Sequence, residues 1–190
     1  LMRTLTSGEA AELLGVDHTY LRKLHREGKI VDVETTAGSH RRYTLDDIWE
    51  IRQTLEGNAK KSGTYVPGRR DGDELQVISV VNFKGGSGKT TTSAHLAQRL
   101  ALKGYRVLAI DLDPQASLSA LHGIQPELDL MEGGTLYDAV RYDDPVPIAE
   151  VIRKTYIRGL DLIPGNLELM EFEHETPAHS IVLKQTTTLL

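Results

Sequence analysis

Cysteine is absent from the 190 residues. That excludes disulfides, thiolate zinc sites and cysteine-ligated iron–sulfur clusters, and it fits a reducing cytoplasm. Long apolar runs are missing too. No stretch approaches the roughly 18 residues that span a bilayer, and no basic-then-apolar start suggests a signal peptide. There is no internal repeat and no low-complexity tract. What remains has the composition of an ordinary soluble protein, 39% hydrophobic and 26% charged. The net charge of −5 is unevenly spread: residues 1–70 hold 12 Lys/Arg against 10 Asp/Glu, residues 71–190 hold 10 against 17. Any nucleic-acid contact is therefore expected in the first third.

Residues 56–74, EGNAKKSGTYVPGRRDGDE, have no hydrophobic period and are rich in Gly, Lys, Arg and Asp, the mark of a linker or long exposed loop. Before them the pattern is mostly helical. After them strand and helix patterns alternate, as in a parallel βαβ arrangement. The expected organisation is a small first domain over 1–57, a linker over 58–74 and the N-terminal part of a second, α/β domain over 75–190.

In the head, Thr6 and Glu9 make a capping box before a helix with Ala10, Ala11, Leu13 and Leu14 on its apolar side. Gly15-Val16 turns the chain, and Asp17 can cap a second helix running to about Glu27. Its Leu21 and Leu24 face inward, with Thr19, Tyr20, Arg22, Lys23 and Arg26 outward. This is a helix-turn-helix pattern, whose second helix enters the major groove. A two-stranded wing is expected around Thr36–Gly38, returning through His40, Arg41, Arg42 and Tyr43 to a helix capped by Thr44. His18, His25 and His40 read as surface or groove-contacting residues rather than metal ligands. For any single basic residue a solvated helix face explains the charge as well as DNA does.

The stretches EAAELLGV, LRKLHREG and HRRYTLDDI resemble the three signature stretches of the winged-helix heads of MerR-type regulators. That resemblance implies that the wing arginines grip phosphates while the second helix reads base edges.

Residues 76–82, QVISVVN, form a continuous β-branched run, predicting a buried parallel strand. It feeds FKGGSGKTTT and then a helix with Ala94, Ala97, Leu100 and Ala101 at helical spacing, ending at Gly104. Strand, glycine-rich turn and helix make a phosphate-binding loop. Backbone N–H groups of Gly86, Ser87, Gly88, Lys89 and Thr90 are expected to converge on a β-phosphate. Lys89 would reach the β- and γ-phosphates, and Thr90 would place its hydroxyl on Mg²⁺. The generic motif asks for Gly at position 83, where this chain has Phe83.

KGGSGKTT (84–91) instead matches the deviant form, with a lysine before the double glycine. It resembles the deviant Walker A ATPases that include the ParA partition proteins and MinD. The resemblance implies an ATP site of Lys84, Gly85, Gly86, Ser87, Gly88, Lys89, Thr90, Thr91 and Asp111. It also implies that Lys84 crosses a dimer interface to the ATP of the other subunit, although added charge for its own site stands as an alternative.

YRVLAIDLDPQ (105–115) predicts a second buried strand ending in Asp111 and Asp113. Carboxylates at such a strand end can hold Mg²⁺ through water or orient the attacking water. The resemblance makes Asp113 the water-orienting residue, with Asp111 supporting it or serving as a cap. GLDLIPG (159–165) is the one further strand pattern, and a helix is expected from GNLELMEFEHE. His174 and His179 read as a solvated loop, since Pro177 lies between them. Residues 76–190 are few for a doubly wound domain, so the sequence predicts a chain cut inside it. The fold class expected is therefore an α/β P-loop NTPase with a truncated parallel sheet, preceded by a small, mostly α winged helix-turn-helix domain.

Together these parts resemble plasmid partition ATPases of the RepA/ParA type. The resemblance implies a cytoplasmic, nucleoid-associated protein that uses ATP and Mg²⁺. It would form an ATP-dependent homodimer, bind operator and non-specific DNA, and answer to a ParB-like partner, with no membrane role. It would also repress its own operon. The alternative is a nucleotide-sensing transcriptional regulator without a segregation role. A MinD-like membrane cycle fits less well beside a DNA-reading head, and the superfamily's iron proteins need cysteine.

Overall fold

The computed structural model describes residues 4–68, 74–129 and 134–171. They fall into two compact units. The first comprises Leu1–Val81, His95–Val107 and Ile157–Leu160; the second comprises Asn82–Ala94, Leu108–Tyr156 and Asp161–Leu190.

In the first unit, α1 (Ser7–Leu14) starts at the Thr6–Glu9 capping box and ends on Gly15 at φ 71. α2 (His18–Arg26) starts at Asp17, whose carboxylate accepts from the Thr19 N–H at 2.7 Å. α3 (Leu45–Gly57) is opened by a Thr44–Asp47 capping box. Ala10, Ala11, Leu14, Leu21, Leu24, Ile30, Tyr43, Ile48, Ile51 and Leu55 make one core. The expected wing is a narrow loop, paired by a Thr35–Arg41 bridge and a Thr36 N–H to His40 O bond of 3.0 Å, with Ser39 at φ 59 at its tip.

The expected linker behaves otherwise where it is described. The Glu56 carboxylate accepts the N–H groups of Gly63, Tyr65 and Val66, tying residues 63–66 back onto α3. A carboxylate in the last turn of a helix can gather free amides from the chain that follows, which a search for hydrophobic period does not register. Residues 69–73 lie outside the described residues.

The 76–82 strand is a correction. Residues 74–82 form no strand, and Val77, Ile78 and Val81 are 80%, 62% and 76% exposed. A parallel strand needs pairing along its edges and cover on both faces, and none of the described strands pairs with this run.

α4 (Lys89–Leu102) follows the glycine loop. Its C-terminal end has the Tyr105 N–H on Leu100 O at 3.1 Å and Gly104 N–H on Ala101 O at 2.8 Å, with Gly104 at φ 94. The second unit holds most of β1 (Val107–Ile110), α5 (Ser117–Leu121), α6 (Pro126–Asp129), α7 (Leu136–Val140), β2 (Arg153–Lys154) and β3 (Leu160–Ile163). Sheet order is β1-β3-β2. Val107 N–H bonds Gly159 O and Asp111 N–H bonds Ile163 O, an equal step in the same sense, so β1 and β3 run parallel. β2 pairs antiparallel to β3, so the sheet is mixed rather than wholly parallel. β3 forms where its pattern reads as strand and is largely buried, whereas β1, expected to be buried, is only half-buried and its Ile110 is 45% exposed. Residues 172–190, with His174 and His179 and most of the expected final helix, lie outside the described residues.

Candidate functional site

The glycine loop caps the N-terminal end of α4. Gly86 and Gly88 stand at φ 69 and 83, a region that costs an L-residue about 1 kcal/mol. Open space surrounds both, so positive φ rather than crowding is what requires glycine here. Asn82 Oδ1 accepts the Lys84 N–H at 2.8 Å, turning the chain into the loop. Nothing in the sequence reading singled out Asn82, although an Asn two residues before such a turn is a recognisable Asx signal. The Lys89 ammonium lies 3.5 Å from the Lys84 carbonyl, reaching back over the loop that the motif assigns it to serve. Gly85, Gly86, Ser87 and Gly88 are exposed, Lys89 and Thr90 half-buried, and Thr91 exposed. Lys84 is exposed, and among the described residues its ammonium has no partner.

The two carboxylates after β1 differ sharply. Asp111 is 3% exposed. Its Oδ2 accepts from both the N–H and the hydroxyl of Ser119, at 2.8 and 2.7 Å, and its Oδ1 from the Asp113 N–H at 3.2 Å. Gly165 N–H in turn donates to Ser119 Oγ at 3.2 Å, and a Cβ on Gly165 would lie 2.8 and 2.9 Å from the carbonyls of Asp111 and Asp113. Asp111 therefore holds the turn together. Asp113 is exposed, and its Oδ1 accepts the Gln115 N–H at 3.0 Å. Of the pair, Asp113 alone presents its carboxylate to solvent, where a reacting water would be met. Among the described residues no cluster of three His, Cys, Asp or Glu forms a ready metal site.

On the head, Thr19, Tyr20, Arg22, Lys23 and Arg26 are exposed on α2, as is His40 on the wing, while Arg41 and Arg42 are half-buried. Two corrections follow. Tyr43 is only 1% exposed, and its hydroxyl meets His25 Nε2 at 2.9 Å inside the head core. A ring so placed cannot reach a phosphate. His25, expected at the surface, is buried against it, and burial followed by the nearby Arg41 charge lowers its pKa. A Tyr at the strand end and a His on the helix read as polar contacts because each carries a polar tip; here the hydroxyl and Nε2 bond each other inside the core.

Residues 75–186 match a family model described as an AAA domain, and residues 6–43 match one described as MerR family regulatory protein. A replication protein A of Rhizobium rhizogenes is 56% identical over 189 residues, covering 99% of this chain and 47% of that protein. Protein SopA of Escherichia coli strain K12 is 35% identical over 175 residues, covering 88% and 42%. The crystal structure of a plasmid partition protein from Borrelia burgdorferi is 31% identical, covering 58% of this chain and 48% of that one, with a TM-score of 0.48. The chain spans about half the length of the curated relatives it matches.

Proposed function

The chain belongs to the AAA-domain family in its ParA/MinD-type branch, carrying a MerR-family segment at its head, and on that premise we propose that it serves an ATP-dependent DNA partition ATPase that also represses its own operon. The observation that carries this reading is the loop itself. Gly86 and Gly88 hold positive φ at the N-terminal end of a 14-residue helix, Lys89 lies back over the turn, and Lys84 stands exposed beside it.

Each residue then has a task. Backbone N–H groups of Gly86–Thr90, at the positive end of α4, receive the β-phosphate. Lys89 exchanges its loop carbonyl for phosphate oxygens, a charge-assisted contact worth more than a neutral one. Thr90 offers a hydroxyl to Mg²⁺, which neutralises phosphate charge when bound. Asp113, whose carboxylate is exposed, would hold that ion through water. Asp113 orients the attacking water and takes up its proton, on a turn fixed by Asp111 and Ser119. Lys84 reaches the triphosphate held by a second copy, so ATP binding and dimerisation become one event.

The head supplies a second DNA contact. Arg22, Lys23 and Arg26 on α2 and Arg41 and Arg42 on the wing grip operator phosphates, with Thr19, Tyr20 and His40 at the groove. The dimer would associate with non-specific DNA in the nucleoid, and a ParB-like partner would stimulate hydrolysis and release it. The test is ATP turnover by the whole protein that carries these residues, with DNA and that partner. Turnover that rises with both supports partition. Repression of the operon with no turnover under any of these conditions contradicts it and favours a nucleotide-sensing regulator.

A further inference from the structure

Arg52 lies in the interior of the first unit, 3% exposed, where a cation is costly unless its donors are met. Its Nη2 donates to Leu13 O and, at 2.8 Å, to Leu102 O, and its Nη1 donates to Tyr65 O at 3.0 Å. Leu13 is in the last turn of α1, and Leu102 is the last residue of α4. Each helix end carries roughly half a negative charge. Two such ends together offset one guanidinium, which accounts for a buried arginine bonded to main-chain carbonyls.

Four residues on, Glu56 accepts from the N–H groups of Gly63, Tyr65 (2.7 Å) and Val66 (3.0 Å). One helix thus holds the Tyr65 residue by both its N–H and its C=O. Gly104, which ends α4, seats against the same point. A Cβ there would lie 2.5 Å from Tyr65 O and 3.2 Å from both Arg52 Cδ and Pro67 Cδ. Also from α3, the Trp49 ring lies so close to Gly159 that a Cβ would be 2.6 Å from it. Arg158 lies 3.7 Å from Asp46 and 3.6 Å from Glu50, pairs that are exposed and add little.

We propose that Arg52 and Glu56 form a clamp that fixes the winged head to the tail of the phosphate-loop helix, making residues 58–67 a strap and carrying movement of α4 into α1 and α3. The clamp stands on the contacts alone; its use as a signal rests on the nucleotide reading above. A nucleotide seated at the start of α4 bears on a helix whose other end is bonded, through one guanidinium, to the head. Partners at both ends of the same helix are what coupling requires.

Amide hydrogen exchange on the chain, with and without Mg²⁺-ATP analogue, tests this. Arg52→Met should speed exchange of Tyr65, Val66 and residues 102–105 by about 10-fold or more while amides beside Leu21 and Ile48 keep their protection. Nucleotide should protect residues 86–92 in both proteins but reach α1 and α3 only in the wild type. Where Arg52→Met does not fold, Glu56→Gln keeps the guanidinium and should still free Tyr65 and Val66. Exchange at those two amides unchanged within about twofold in both variants overturns the clamp. Equal nucleotide protection of α1 and α3 in Arg52→Met and wild type overturns the transmission. Absent protection at 86–92 in the wild type overturns the nucleotide reading instead, and leaves the clamp to be judged by Tyr65.

Discussion

Ser119 donates twice to one oxygen of Asp111, from its hydroxyl at 2.7 Å and its N–H at 2.8 Å, with Ser119 fully buried. The bond joins the end of β1 to α5 and fixes the turn that exposes Asp113. Asp111→Ala would strand two buried donors, each costing about 1–3 kcal/mol. The expected loss is about 2–4 kcal/mol, read as a lower denaturant midpoint at unchanged slope. An unaltered midpoint would show that the pair does not hold the turn.

Lys89→Ala should weaken ATP binding by about 10- to 100-fold, the span of one charge-assisted contact. The side chain is half-buried and makes one long bond within the chain, so thermal stability should stay near wild type. Calorimetric titration measures the first and a melt the second. Undiminished affinity contradicts the phosphate-cradle role.

On the head, half-buried Arg41 and Arg42 stand beside a fully buried Tyr43. Arg41→Ala with Arg42→Ala should weaken operator binding and reduce the slope of log affinity against log salt by roughly two, as two phosphate contacts and their counterions are lost. Tyr43→Phe should leave that slope alone and cost about 1 kcal/mol of stability through the lost bond to His25. A salt slope altered by Tyr43→Phe would restore the tyrosine to the DNA surface.

Glu56 has its pKa held below the ordinary 4.5, first by the Tyr65 N–H, then by those of Val66 and Gly63. A depressed carboxylate stabilises the fold above its unfolded pKa, and that contribution is lost as pH falls through the folded value. The melting gap between wild type and Glu56→Gln should therefore be largest above the ordinary carboxylate pKa of 4.5 and narrow as pH falls below it. A gap that stays constant over that range would mean the carboxylate charge does not hold the strap.

Local signals carried much of this from sequence to structure. The Thr6–Glu9 box, the Asp17 cap, the inward Leu21 and Leu24 and the Gly104 stop are each set within one turn of chain, and all appear as read. What failed depends on partners distant in sequence. The 76–82 run is β-rich, but a strand exists only with a neighbour to pair. Tyr43 and His25 bond each other across 18 residues, which neither residue announces. Arg52 did leave a trace. Ile48, Ile51, Arg52 and Leu55 share one helical stripe, and a cation on a buried stripe marks a site where carbonyls must be waiting.

The central claim is that triphosphate joins two copies of this chain through Lys84. Equilibrium sedimentation of the whole protein with Mg²⁺ and a non-hydrolysable ATP analogue tests it most directly. Wild type should shift from monomer to dimer on adding nucleotide, while Lys84→Ala binds nucleotide with unchanged affinity and remains monomeric. A Lys84→Ala protein that dimerises with nucleotide as wild type does would contradict the account.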